Sequence, residues 1–151
     1  MQSRLQKTGR NTKLMQFEPD IQTLERIERT LKMLRTFQQV YTIDGALAAN
    51  HVFTFKAPFD MQIVHVSLSN STANAGTFDL GPSTDADGYK DGATFGVSAA
   101  CTELDERTDF DGAVSDSQWP RVTKGTVVHV TIKDHASHMA NACVVLTFTE
   151  G

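Results

Sequence analysis

Thr126-Val127-Val128-His129-Val130-Thr131-Ile132 and Cys143-Val144-Val145-Leu146-Thr147-Phe148 decide the fold. Side chains alternate across an extended chain. In the first stretch Val128, Val130 and Ile132 therefore share one face, opposite His129 and Thr131. In the second, Val144, Leu146 and Phe148 oppose Cys143, Val145 and Thr147. One-sided alternation of this kind marks antiparallel sheets with a single face on the core.

Four more short runs rich in β-branched and aromatic residues precede them: His51–Phe55, Met61–Leu68, Thr77–Leu80 and Thr94–Val97. In the Met61 run, Val64, Val66 and Leu68 read as the apolar row, with His65 on the opposite face. Turn-forming clusters separate the runs: Ala57-Pro58, Asn70–Gly76, Gly81–Gly92, Asp109–Gly112 and Lys124-Gly125. Six to eight short strands with such punctuation point to a mainly β fold, an antiparallel β-sandwich of jelly-roll type, over residues 45–151.

The N-terminal third has a different texture. Residues 1–16 are polar and basic and read as an extended arm. From Pro19 the pattern turns helical. Leu24, Ile27, Leu31 and Leu34 recur at spacings of three and four, Ile21 and Phe37 widen the stripe, and no Gly or Pro interrupts residues 20–40. Glu18 and Asp20 favour the start and Asp44-Gly45 the stop, so residues 17–44 are expected to be a helical segment. The stripe either packs on the domain or, extended back to Phe17, seeds a short coiled coil.

The net charge of −4 conceals a division. Residues 1–40 hold eight of the fourteen Lys/Arg and four acids, or +4, while the rest carries −8. Arg4, Lys7, Arg10 and Lys13 stand in a stretch without any acid. That arm suits an acidic protein surface. Nucleic acid is disfavoured as a partner, because the arm lacks interleaved aromatics and the attached body would be repelled. No apolar run approaches the roughly 20 residues of a membrane span, and no apolar segment follows the basic N-terminus as in a secretory signal, so synthesis in the cytosol is expected. Cys101 and Cys143, far apart and without paired spacing, read as two isolated thiols.

Motifs for chemistry are sparse. Asp85, Asp87 and Asp91, with Gly88 and Gly92 between and after them, could wrap a hard cation such as Ca²⁺ or simply form Asp-Gly turns. Residues 103–116 are acidic and read as a solvated loop. His135 and His138 lie in a hairpin loop with no third ligand nearby. Trp119, beside Pro120, would close the end of the core or offer a stacking surface. Nucleophile elbows, phosphate loops and dinucleotide glycine patterns are absent from the sequence, so an enzyme is not expected and no catalytic residue is assigned.

The strand Val52-Phe53-Thr54-Phe55, the passage Ala57-Pro58-Phe59-Asp60 into Met61–Leu68, the turn Ser69–Gly76, Phe78-Asp79-Leu80-Gly81, and Val122–Thr131 around Lys124-Gly125 together resemble small structural proteins of tailed bacteriophages. The likeness is to head-decoration (cement) and head-fibre proteins. It implies a sandwich knob without enzymatic activity, a homo-trimer on the outside of an assembled phage head, bound to the major capsid protein of the same virion. Under it, Arg4, Lys7, Arg10 and Lys13 would face the capsid, while Leu24, Ile27, Leu31 and Leu34 would serve the oligomer. The alternatives are a tail, baseplate or fibre component, and a carbohydrate-binding module using Trp119, Tyr89 and the Asp85–Asp91 loop.

Overall fold

The structure is a computed structural model and describes residues 21–33, 35–98, 100–111, 119–134 and 138–151. It opens with helix α1 (Ile21–Met33). The helix stops well short of residue 44, because Thr36–Ala46 forms strand β1. The reason lies in Thr36-Phe37-Gln38-Gln39-Val40-Tyr41-Thr42-Ile43, where an aromatic or β-branched residue stands at nearly every second position. Helix formers cost little there in isolation, but continuous pairing of Thr36–Ile43 with the C-terminal strand overrides them. Phe37, assigned to the helical stripe by spacing, is instead a strand residue packed on the core. The sandwich thus begins at residue 36 rather than 45.

The remaining strands are β2 (His51–Lys56), β3 (Met61–Ser69), β4 (Thr77–Pro82), β5 (Lys90–Thr94), β6 (Cys101–Leu104), β7 (Arg121–Val122), β8 (Val127–Lys133) and β9 (Ala140–Glu150). Sheet A runs β1-β9-β3-β6, with β7 pairing the start of β3, and sheet B runs β2-β8-β4-β5. Every named strand pair is antiparallel.

The order has a simple origin. β4 pairs with β5, β3 with β6, β2 with β8 and β1 with β9, as in one long hairpin folded at the β4–β5 turn. Rolling that ribbon up adds the β3–β9 and β4–β8 pairs and gives two sheets. This is a jelly roll.

The decisive rows fall where alternation placed them. Val128, Val130, Ile132, Val144, Leu146 and Phe148 are all fully buried, facing Ile63, Leu68, Phe78 and Leu80. β3 departs from simple alternation. Its register with β9 slips between Ile63 and His65, so Val64 is an extra residue that turns outward, and Met61, Ile63, Val66 and Leu68 form the inner row. The expected row Val64-Val66-Leu68 is corrected by this bulge.

The stretch Thr94–Val97 is also displaced. The strand lies earlier, at Lys90–Thr94, inside the segment read as an Asp-Gly loop, while Gly96 makes an isolated bridge to Ser69. Gly81 permits this arrangement, since a Cβ there would fall 2.6 Å from the Gly88 nitrogen and block the turn that returns the chain to β5.

Candidate interaction surface

The two sheets present unlike outer faces. On sheet B, β8 turns His129 and Lys133 outward, Lys56 projects from β2, and Asp79 of β4 pairs with Lys133. Sheet A carries less charge over its three longest strands, where Asp44 near the end of β1, His65 on β3 and Glu150 at the end of β9 are the acidic or basic residues. Gln38, Val40 and Thr42 of β1 lie against Thr147, Val145 and Cys143 of β9, pair by pair. Gln62, Val64 and Ser67 continue the surface on β3. Gln38 donates a hydrogen bond to the Thr147 hydroxyl at 3.2 Å. Charge returns only at the margins. His65 Nε2 meets Glu103 at 2.6 Å on the β6 side, and Arg35 reaches Glu150 at 3.4 Å at the opposite end. Val40, on the edge strand, is 54% exposed.

Helix α1 leaves a second apolar feature in solvent. Leu24, Ile27 and Leu31 are 49%, 48% and 57% exposed. Leu34, the fourth member of the stripe, lies outside the described residues, as do Phe17 and the arm residues Arg4, Lys7, Arg10 and Lys13.

Where β1 and β2 form the open edges of their sheets, the core is sealed by aromatic rings. Tyr41 meets Phe53 at 4.9 Å, Phe37 meets Phe59 and Phe148 at 5.2 Å each, and Phe55 meets Phe148 at 5.6 Å. The Tyr41 hydroxyl is buried without a hydrogen-bond partner among the described residues, and burial pushes it up from 10.0 to about 12. Tyr41→Phe removes a desolvated hydroxyl and is expected to be neutral or to stabilise by up to about 1 kcal/mol. The alkaline limb should change as well. The raised folded-state value means that stability is complete below the unfolded tyrosine value and falls as pH rises from about 10 to 12. Urea midpoints at neutral and alkaline pH check both. Because the ring is half-buried, the alkaline difference should stay within about 1 kcal/mol. A clear loss of stability at neutral pH in Tyr41→Phe would show the hydroxyl to be satisfied.

The Asp-rich loop is tied by short-range contacts of its own. Among the described residues no group of three His, Cys, Asp or Glu side chains is placed to hold a metal ion. Asp85 and Asp87 hydrogen-bond each other, which, with slight desolvation and the Asp87 charge, raises the Asp85 carboxyl. Asp87 and Asp91 instead add to the field that raises Lys133.

The acidic stretch is likewise structured as far as residue 111. Asp109 accepts from the Asp105 and Glu106 amides at 3.0 and 2.8 Å, and Asp111 accepts from the Asp91 amide at 2.6 Å and pairs with Lys90 at 3.3 Å. These carboxylates cap turns and join β5, which corrects the reading of a purely solvated loop. The rest of that stretch, residues 112–116, lies outside the described residues.

His138 pairs with Asp134 at 2.5 Å in its loop, and His135 is outside the described residues. Cys101 and Cys143 are free thiols, as expected. Trp119 packs on Phe110 at 5.9 Å, edge to face, and Tyr89 lies against the core with its hydroxyl on the Arg121 carbonyl. The two aromatics considered for sugar stacking are thus engaged in packing.

A cleft of about 160 Å³ beside Asp60, Gln62 and Arg121 is smaller than the roughly 300–1,000 Å³ of ordinary ligand sites. The broad features of the described surface are therefore the sparsely charged face of sheet A around Val40 and Val145 and the stripe of α1.

Neither a family model nor a curated relative matches the sequence. Among solved structures, the fold is similar to a chain of the Cyanophage Pam1 capsid asymmetric unit. The match covers 78% of this chain and 84% of that one, with a TM-score of 0.50 and 15% sequence identity. At that identity the likeness concerns the fold. Among the described residues no helix is long and apolar enough to cross a membrane.

Sequence reasoning missed the sheet A face because it placed residues 36–44 in a helix. The alternation of Phe37, Gln39, Tyr41 and Ile43 was the signal that could have revealed it.

Proposed function

We propose that the protein is a virion structural component, a decoration or cement protein that binds the outer surface of an assembled phage head and stabilises it. The observation that carries this reading is the jelly-roll likeness, over most of both chains, to a chain of a phage capsid asymmetric unit. The coverage also implies two chains of similar size. The contact would be with the major capsid protein of the same virion, and the working form a homo-trimer. Binding and packing, rather than catalysis, are the work that such a surface performs.

The arm supplies the second element of this reading. Residues 1–40 are +4 and the remainder −8, so the arm and the body are suited to different neighbours. Arg4, Lys7, Arg10 and Lys13 are the docking residues, by charge. Replacing all four with Ser is expected to weaken binding to shells roughly 10- to 1,000-fold at low salt, on about 0.3–1 kcal/mol per exposed pair. The variant should also lose most of the salt dependence of binding. Co-sedimentation across a salt series measures both.

The central experiment is co-sedimentation of the full-length protein with assembled shells and with free coat subunits. Binding to shells but not to free subunits, with shells that withstand higher temperature when loaded, is the expected result. Protein that ignores mature shells would overturn the reading. Antibody labelling of intact particles then distinguishes the head from a tail, baseplate or fibre position.

A further inference from the structure

We propose that the outer face of sheet A receives helix α1 of a second copy of this chain, so that copies assemble by passing helices from one to the next. The described residues leave the stripe Leu24-Ile27-Leu31 and the face around Val40 about half exposed, with Val52 of sheet B standing singly beside Thr131.

The described part of the helix, Ile21–Met33, sets Leu24, Ile27 and Leu31 on one side, a stripe that one flat apolar surface can cover.

Sheet A offers one. Val40 and Val145 are direct cross-strand neighbours, and the bulge in β3 turns Val64 out on the same side. Interface cores are depleted in charge, and the strand neighbours of Val40 and Val145, namely Gln38, Thr42, Cys143, Thr147 and Ser67, are uncharged, where sheet B carries Lys56, Lys133 and Asp79. α1 meets β9 near the end of its own sheet, yet its stripe stays open to solvent.

Charge then selects the occupant. Two bodies at −8 each repel, while the N-terminal segment at +4 is drawn to the body of another copy. A second copy also covers both features at once, since each copy contributes one helix and one face. Such head-to-tail exchange forms a ring, of three copies for example, when the rotation from copy to copy closes, and an open filament when it does not. It does not depend on the virion reading, because it is tested in solution without shells.

The test compares the mass in solution, by size exclusion with light scattering, of the full chain, Ile27→Asp and Val40→Asp. Val40 is half exposed on an edge strand, so the fold should survive, and circular dichroism verifies this. The full chain should be an oligomer and each variant a monomer. An equimolar mixture should recover a dimer, because the Val40→Asp copy retains a good helix and the Ile27→Asp copy a good face. A folded Val145→Asp variant should behave as Val40→Asp does.

A monomeric full chain would overturn the proposal. So would a Val40→Asp oligomer alongside an Ile27→Asp monomer, which is the signature of a helix bundle, or a mixture that stays monomeric. Shell binding is scored separately, so loss of the exchange with retained shell binding removes this inference alone.

Discussion

Phe148→Ala should cost about 3–5 kcal/mol, the range for emptying a buried aromatic site. Total stabilities for such domains are about 5–15 kcal/mol, so the variant would stand close to unfolding. The size of the effect follows from position. Phe148 is fully buried on β9, the second strand of sheet A. It stacks on Phe37 of the edge strand β1 at 5.2 Å and takes the edge of Phe55, from sheet B, at 5.6 Å. One ring thus joins both sheets at the side where neither has a further strand. Backbone pairing on both flanks of β9 resists collapse into the cavity, which places the cost towards the upper part of the range. Val145→Ala is the control. Its side chain lies on the same strand but on the outer face, and the expected cost is below about 1 kcal/mol. Urea unfolding of both variants reads the difference, and a Phe148→Ala cost near that of Val145→Ala would refute the account.

The inner rows of β8 and β9 were legible because period-two alternation and full burial coincide there. In β3 the rule placed Val66 and Leu68 inside and His65 outside but failed at Val64, the extra residue of a bulge that leaves no mark in composition. β1 was misread for another reason. Its spacing of apolar residues satisfies a helical stripe through Phe37, and only pairing with β9, remote in sequence, settles it as a strand. The Asp-rich segment looked like an ion-binding loop because spacing reports how often carboxylates recur. It does not report where they point: Asp85 and Asp87 hydrogen-bond each other, and the Asp91 amide donates to Asp111. A sparsely charged sheet face is harder still to read, since it exists only once register has set Val40 beside Val145. Charge division between the arm and the body, by contrast, is a property of the sequence itself and needs no fold.

Lys133→Met should be more damaging than Asp79→Ala, although the two remove the same ion pair. Asp79 is buried, accepts the Gly92 amide at 3.0 Å and pairs with Lys133, which stays 40% exposed. Removing the lysine leaves a carboxylate in a dry site with one amide for company, whereas removing the aspartate leaves an ammonium that water can reach. Orphaning one member of a fully buried pair costs about 3–5 kcal/mol. With Lys133 part-exposed, we expect about 2–3 kcal/mol for Lys133→Met and about 1–2 for Asp79→Ala. The double variant should cost less than the sum of the two single ones, as coupled partners do.

The pH dependence has a definite sign. The hydrogen bond to Asp79 raises the Lys133 ammonium above its ordinary value, partial desolvation opposes this, and the charges of Asp79, Asp91 and Asp87 add to the rise. The contribution is therefore complete below the unfolded lysine value of about 10.4 and is lost as pH rises through the folded one. Measured in a Tyr41→Phe background, which removes one of the two half-buried tyrosine titrations and leaves that of Tyr89 common to both proteins, the Asp79 protein should lose more stability above that value than the Asp79→Ala protein. Equal single-variant costs, an additive cycle or an unchanged alkaline limb would each show that Asp79 and Lys133 do not act as a pair.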